Sequence, residues 1–514
     1  MACRRGAFPD RLDVDCGYVR VPEDRSHPRG RQIRVAAAVV HATAADPAPE
    51  PILLLPGGPS AGAISRFSIR AYFSGSTWAA DHDIVLVDTR GVGQSRPRLG
   101  CPEIDRADVR NFYARPGVGS RAPRIFGHAL EHCRRRLVAS GIDPADYTVH
   151  EGVADLEALR RAIGVDRWNL MAVSADGILG MSYLREHPGS IRAAIVDSGM
   201  APQMLTGIDY DRGLSQQLEA VFAGCAANRA CRDAYPHLRR VFMRAVHRLN
   251  RHPRVVHFPM FRPHPVHLRL DGAGVYFDAV HQIFPGNVFV GDDIHHLIDS
   301  MWRIGHGQLT AVYREMFGTG PQVNYHQNSF VAVGRTMSLE CHDVTNFVTR
   351  RDLRRAARDL PMYAPRYRSR SYDLGDTLGN YRSPAGCRIW DVGRARPRQH
   401  RPVVSSVPAL VLAGEYDGGV TPYTVHKNVR GLSHATYVEF RAASHQQLAF
   451  FNIAHRCARS IAAEFLAHPH AAPDTSCADT LPPFDFTPPA GRPVGRLGVP
   501  RLPGMSDGRF RLVG

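Results

Sequence analysis

Lysine is the residue this chain most lacks: Lys427 stands alone among 64 basic residues, the other 63 being arginine. The formal net charge of +16 invites an anionic partner. The arginines, however, are spread along the whole length, and their densest run, Arg134-Arg135-Arg136, falls on an expected helix face. With no zinc-finger spacing and no basic–aromatic RNA signature beside them, they read as a solvated surface, and no nucleic-acid partner is expected. No apolar run reaches the ~18 residues of a transmembrane helix, so no membrane span is expected. C-x-x-C pairs are absent, and the 26 histidines show no H-E-x-x-H or comparable spacing, so neither a metal nor another cofactor is expected. The glycine-punctuated loop from Asp88 to Ser95 lacks the G-K-[ST] ending of a phosphate loop. No internal repeat is found. The opening Met1-Ala2-Cys3-Arg4-Arg5 has no apolar signal-peptide core behind it. The expectation is extracytoplasmic if a leader has been removed, and cytoplasmic if Met1 is the native start.

What is present suits a large globular protein. The 514 residues, 44% hydrophobic and 22% charged, can fill a core in two or three domains. Ten cysteines fall in near pairs: Cys3 and Cys16, Cys101 and Cys133, Cys225 and Cys231, Cys341 and Cys387, Cys457 and Cys477. Local pairing gives five disulfides and an oxidising compartment; free buried cysteines are the other reading.

Hydrophobic patterning divides the chain. Residues 1–45 read as an entry hairpin, with Ile33 to Val40 as a strand. Buried strands follow at 51–55, 84–87, 169–173 and 193–196, with helical periodicity at 125–139 and 151–164 between them. Strands alternating with helices argue a mostly parallel central sheet covered on both faces, an α/β fold. From about 202 to 400 strand signals thin out and helical stretches (212–224, 237–250, 274–304, 307–317) dominate, as in an inserted helical cap. The sheet resumes at 409–413 and 436–440, followed by a last amphipathic helix at 453–466. The expected units are a first core part at 1–201, a cap at 202–400, a second core part at 401–480, and a weakly structured, proline- and arginine-rich tail at 481–514.

Ser174 sits where the apolar run Asn169 to Val173 ends and the helical spacing from Gly177 begins. A strand-turn-helix with serine at its apex is the layout of a nucleophile elbow. Asp417 and His445 also follow expected strands, in the order Ser…Asp…His. The chemistry explains the set. A serine hydroxyl is a weak nucleophile until an imidazole takes its proton, and the imidazole needs a buried carboxylate to fix its tautomer and support its cation. Two backbone donors complete the site, and the amide of Ala175 and one from Gly57-Gly58, assigned to Gly58, are the candidates for the oxyanion hole.

These residues resemble the proline iminopeptidase and tripeptidyl aminopeptidase family of secreted serine exopeptidases, including its C-terminal domain. The matching pieces are Gly57-Gly58-Pro59, Asp88-x-Arg90-Gly91-x-Gly93-x-Ser95, Cys101-Pro102-Glu103, Asp155-Leu156 with Leu159-Arg160, and Ser174. They continue with Cys225 and Cys231, Leu339-x-Cys341-x-Asp343, Gly414-Glu415-x-Asp417, His445 and Asp474-Thr475-Ser476-Cys477. The resemblance runs in order over roughly residues 10–480. It implies an α/β-hydrolase fold with a helical cap, the triad named above and paired cysteines. It also implies acidic cap groups holding a substrate's free α-amine, here Glu340 or Asp343. The chain departs from the family at the elbow, which resembles G-x-S-Y-G-G there and is Ala172-Val173-Ser174-Ala175-Asp176-Gly177 here. Asp176 crowds a turn that favours small residues and sets a carboxylate beside the nucleophile, making it a further substrate-contacting candidate. Ser60 replaces a usual glycine, and Gly418-Gly419 adds a residue after Asp417.

Three functions compete. The first is a serine hydrolase acting through an acyl-enzyme, an exo-aminopeptidase releasing short N-terminal peptides or residues. The second is the same scaffold turned to an ester, lactone or amide of a specialised metabolite. The third is a non-catalytic binding protein. The partner is accordingly a peptide or small acyl substrate; oligomeric state is not legible.

Overall fold

The computed structural model describes residues 8, 12–58, 62–73, 78–107, 122–258, 266–283, 290–317, 332–368 and 383–489. Eight strands form its main sheet: β1 (Val14–Pro22), β2 (Gln32–Val40), β3 (Ala48–Leu55), β4 (His82–Asp88), β5 (Trp168–Val173), β6 (Ile191–Asp197), β9 (Ala409–Gly414) and β10 (Ala435–Phe440). Their order is β1-β2-β4-β3-β5-β6-β9-β10. The entry hairpin β1–β2 and the β2–β4 pair are antiparallel, and every other neighbour pair is parallel. The α/β expectation, a mostly parallel sheet, therefore holds.

Alternate side chains point to opposite faces and both faces are covered, which explains why the central strands are apolar throughout. Leu53, Leu55, Leu170 and Ala172 point to one face, packing with Val153, Leu156 and Leu159 of the helix Val149–Ala162 and with Ile178 and Met181 of the helix Gly177–Glu186. Ile52, Leu54, Met171 and Val173 point to the other, onto Ile461 and Phe465 of the helix His455–Ala467. Every residue of β5 and β9 is buried. Parallel strands end on the same side of a sheet, so the chain leaving β3, β5, β6 and β9 emerges along one edge, where such folds place ligands.

A third apolar cluster joins the helices Thr206–Ala227, Leu238–Arg251, Gly272–Ile283, Val290–Gly305 and Leu309–Phe317. The stretch expected as one helix at 274–304 is two, with 284–289 outside the described residues. An antiparallel ribbon, β7 (Arg254–Phe258) with β8 (Val266–Leu270), also lies here. It was not anticipated, because five residues carry too little periodicity to stand out. The start of the expected loose tail is ordered. Phe486 is buried against the Thr206–Ala227 helix, where a side chain at Gly224 would stand 2.1 Å from its ring. Phe484 and Phe486 also lie 5.7 and 6.2 Å from the Tyr416 ring. Two aromatic rings meeting a glycine gap outweigh the proline-rich context; residues 490–514 lie outside the described set.

Four of the five sequence pairs are disulfides: Cys101–Cys133, Cys225–Cys231, Cys341–Cys387 and Cys457–Cys477. Cys16 is disulfide-bonded as well, and its expected partner Cys3 lies outside the described residues. No described helix is long and apolar enough to cross a membrane. The Cys341–Cys387 bond closes a 46-residue separation and ties the turn bearing Glu340 and Asp343 to the helix Pro384–Trp390. Replacing both cysteines by serine is expected to lower unfolding free energy by about 2–4 kcal/mol, read as an earlier urea midpoint; an unmoved midpoint would contradict the bond's structural role.

Candidate active site

The end of β5 is strained. Ser174 has φ +51°, a left-handed backbone that costs a non-glycine residue roughly 1–3 kcal/mol. It is followed by a one-turn 3-10 helix, Ser174–Asp176, and then by the helix from Gly177. The amide of Met200, after β6, donates to the Ser174 carbonyl at 2.9 Å and braces the turn. The tight elbow needs close neighbours without side chains. A Cβ on Gly57 would lie 2.7 Å from the Ser174 Cβ, and one on Gly177 would lie 2.5 Å from the Met200 carbonyl oxygen.

The first missing elbow glycine is replaced nearby. Ala172 occupies the first family position, and Gly180 faces it: a Cβ there would come within 2.4 Å of the Ala172 Cβ. The room lost on the strand is therefore recovered on the helix. At the second position Asp176 has an ordinary right-handed backbone, φ −72° and ψ −7°, so a glycine is not needed there for backbone reasons. The crowding expected at Asp176 does not arise, because its carboxylate turns toward the β3 loop.

Ser174, His445 and Asp417 come together as the strand-end reading anticipates. His445 Nε2 lies 2.7 Å from Ser174 Oγ, and His445 Nδ1 lies 2.8 Å from Asp417 Oδ2. The other Asp417 oxygen accepts the amides of Gly419 and Val420 at 2.7 and 2.8 Å. The inserted Gly418-Gly419 pair thus belongs to a backbone cradle that fixes the fully buried carboxylate. With Nδ1–H donating to Asp417, Nε2 is left to accept from the serine hydroxyl. Burial opposes the His445 cation, but the charge and hydrogen bond of Asp417 outweigh it and raise the imidazole pKa above its ordinary value. This arrangement can accept a proton from Ser174 and hold it while charge builds at the substrate.

The glycine turn after β3 lies against this group, with Gly57 and Gly58 at φ +86° and +68°. The Gly57 amide donates to Asp176 Oδ2 at 3.0 Å and is thereby engaged within the chain. The Ala175 amide, in the first turn after the serine, has no intrahelical acceptor by position. Tyr72 donates its hydroxyl to the Pro56 carbonyl at 3.1 Å and steadies the turn from the other side. Ser60 lies outside the described residues.

Asp176 is unusual. Burial pushes its carboxyl up to about 7, against the opposing Gly57 hydrogen bond and the Arg335 charge. Arg335 is itself buried, with Nε and Nη1 unpartnered among the described residues, and burial lowers its pKa to about 10. Glu340 and Asp343 occupy a π-helical turn and are both buried. Asp343 is engaged by the chain itself: Oδ2 accepts the Val149 amide at 3.0 Å, and Oδ1 lies 3.1 Å from His342 Nδ1. It caps the helix behind the elbow. Sequence reasoning missed Arg335, and also Asp197, although Asp197 ends an apolar strand just as the residues preceding Ser174 and Asp417 do.

The profile of the alpha/beta hydrolase fold family matches residues 50–450. The tripeptidyl aminopeptidase of Streptomyces coelicolor is 32% identical over 211 residues, covering 40% of this chain and 38% of that protein. Serine protease Hip1 of Mycobacterium tuberculosis is 26% identical over 230 residues, 42% of each chain. The matched segments thus span less than half the length of these relatives. Among solved structures, the proline iminopeptidase of Mycobacterium smegmatis aligns over 88% of this chain and 99% of its own, at 14% identity and a TM-score of 0.37.

Two outcomes follow from the elbow. Gly180→Ala is expected to destabilise the fold by about 1–3 kcal/mol through overpacking, and adding Ala172→Gly should restore much of the loss in urea unfolding; no rescue would refute the compensation. Asp176 keeps its proton in the folded chain up to about 7, whereas the unfolded carboxyl ionises near 3.8. Wild-type stability should therefore fall, relative to Asp176→Asn, as pH rises from about 4 to about 7. Parallel stability–pH curves would contradict this.

Proposed function

The chain belongs to the α/β-hydrolase family, and from that premise we propose that it is a serine hydrolase in which Ser174 is the nucleophile, His445 the general base and acid, and Asp417 its orienting carboxylate. The observation that carries this reading is the unbroken Asp417–His445–Ser174 hydrogen-bond chain at the strand ends. Ser174 Oγ attacks the substrate carbonyl carbon as His445 Nε2 takes its proton. The amides of Ala175 and Gly58 receive the oxyanion. His445 then protonates the departing amine or alcohol, leaving an acyl-enzyme. A water gives its proton to His445, attacks the acyl carbon and releases the acid, and the imidazolium returns a proton to Ser174.

Within that chemistry we assign an exo-aminopeptidase that releases short N-terminal peptides or residues, a reading supported by the names of its relatives. The acids assigned to hold a free α-amine are Asp176, two residues after the nucleophile, and Glu340 or Asp343 on the π-helical turn. Both oxygens of Asp343 already have partners within the chain. The disulfides favour work outside the cytoplasm. A second reading, hydrolysis of an ester, lactone or amide of another acyl substrate, is favoured by Asp176 itself, which fills the elbow position where the family carries a small residue.

Two tripeptide nitroanilides, one with a free N-terminus and one N-acetylated, separate the two. Selective cleavage of the free-amine substrate is expected, falling by about 10⁴-fold or more in Ser174→Ala. Equal cleavage of both would replace the aminopeptidase assignment with the second reading. Full activity in Ser174→Ala would sink the nucleophile assignment.

A further inference from the structure

His445 is held from a direction that the Asp417 relay does not use. β6 ends at Asp197, alongside β9, where the Ser198 amide donates to the Leu412 carbonyl at 2.9 Å. Asp197 is completely buried. Its Oδ1 accepts the Gln447 amide at 2.8 Å and its Oδ2 accepts the Leu448 amide at 3.0 Å. The next residue, Ser198, takes the Gln446 amide on its hydroxyl at 3.2 Å. Three successive amides after His445 are therefore gripped by two adjacent side chains. Asn452 adds a donor to the His445 carbonyl at 3.2 Å. Gly414, at the end of β9, allows the turn to sit close: a Cβ there would lie 2.1 Å from the Ser444 carbonyl oxygen.

A carboxylate is chemically distinctive in this place. Two amides converge on two oxygens, a demand that asparagine meets with one acceptor only. A fully buried anion is also costly unless a cation faces it. Among the described residues, the titratable groups that act on Asp197 include His445, Asp417 and the Tyr72 phenol. Of these only His445 becomes a cation, and it does so at the step where it takes the serine proton.

We infer that Asp197 is a second carboxylate serving His445, a positioning residue that fixes the histidine's turn through Gln447 and Leu448 and lends its charge to the imidazolium. The inference rests on the Ser174–His445–Asp417 reading. Asp417 orients the ring through Nδ1, while Asp197 fixes the backbone that carries it. The electrostatic half follows from the same placement: the Asp197 charge favours the His445 cation alongside Asp417. Burial raises the Asp197 carboxyl to about 6, against its two amide bonds and the His445 charge, so it is ionised at neutral pH.

The test compares Asp197→Asn with Ser198→Ala, which loosens the same turn without removing charge. Removing an anion lowers the pKa of a neighbouring imidazole. In Asp197→Asn the His445 titration, read by NMR without substrate, is expected to move down by about one unit. The acid limb of kcat/KM should follow, with kcat down about 10–100-fold. Ser198→Ala should lower kcat and leave the limb in place. Asp197→Ser, also uncharged, gives the same readout if the asparagine variant does not fold. A fall in kcat with an unmoved His445 titration would reduce Asp197 to a structural residue and overturn the inference, as would unchanged kinetics. The parent reading fails separately, by turnover in Ser174→Ala or Asp417→Asn equal to wild type.

Discussion

The left-handed backbone at Ser174 is the constraint on which the rest of the site depends. Holding a serine at φ +51° lifts its hydroxyl out of the strand line and brings surrounding backbone closer than side chains allow. Glycines then appear wherever another element approaches: Gly57 from β3, Gly177 from the helix itself, and Gly180 opposite Ala172. The strain persists because buried strands on both faces and the Met200 amide fix the elbow from several sides. Ala172 leaves the architecture intact because the turn requires space there, which Gly180 across the contact supplies, and Asp176 does so because its backbone is right-handed.

Buried charge is the second organising factor. Asp417, Asp197 and Arg335 are buried and Asp176 is half-buried, and each is handled differently. Asp417 has a backbone cradle and an imidazole. Asp197 has two amides. Asp176 has one amide and keeps its proton to about 7, while Arg335 has its pKa lowered to about 10. Burial drives the Asp176 and Asp197 carboxyls up and the Arg335 guanidinium down, each toward its uncharged form, and such shifts occur at functional sites as well as in structural networks.

Much of this was legible in the sequence, for physical reasons. Strands buried on both faces are written as unbroken apolar runs, so β3, β5, β6 and β9 stood out, and the residues at their ends followed. The triad order needed nothing more. Other features depend on partners far away in the chain. The Asp343 carboxylate caps a helix 194 residues earlier, and the Gly180–Ala172 exchange is visible only when helix and strand face each other. The short ribbon β7–β8 carried too few residues to show its period, and Phe484 and Phe486 looked like part of a loose tail until the gap at Gly224 received them. Asp197 had the same strand-end signature as the triad; its significance lies in the amides of Gln447 and Leu448, 250 and 251 residues on.

The central claim is that Ser174 is activated by His445 held on Asp417. The most direct measurement is the rate at which a fluorophosphonate modifies the protein, with the modified residue located by mass spectrometry, in wild type and in Asp417→Asn. The account predicts modification at Ser174 alone, slowed by about 10³–10⁴-fold when the carboxylate is neutralised. Modification at another residue, or an unchanged rate in Asp417→Asn, would contradict it.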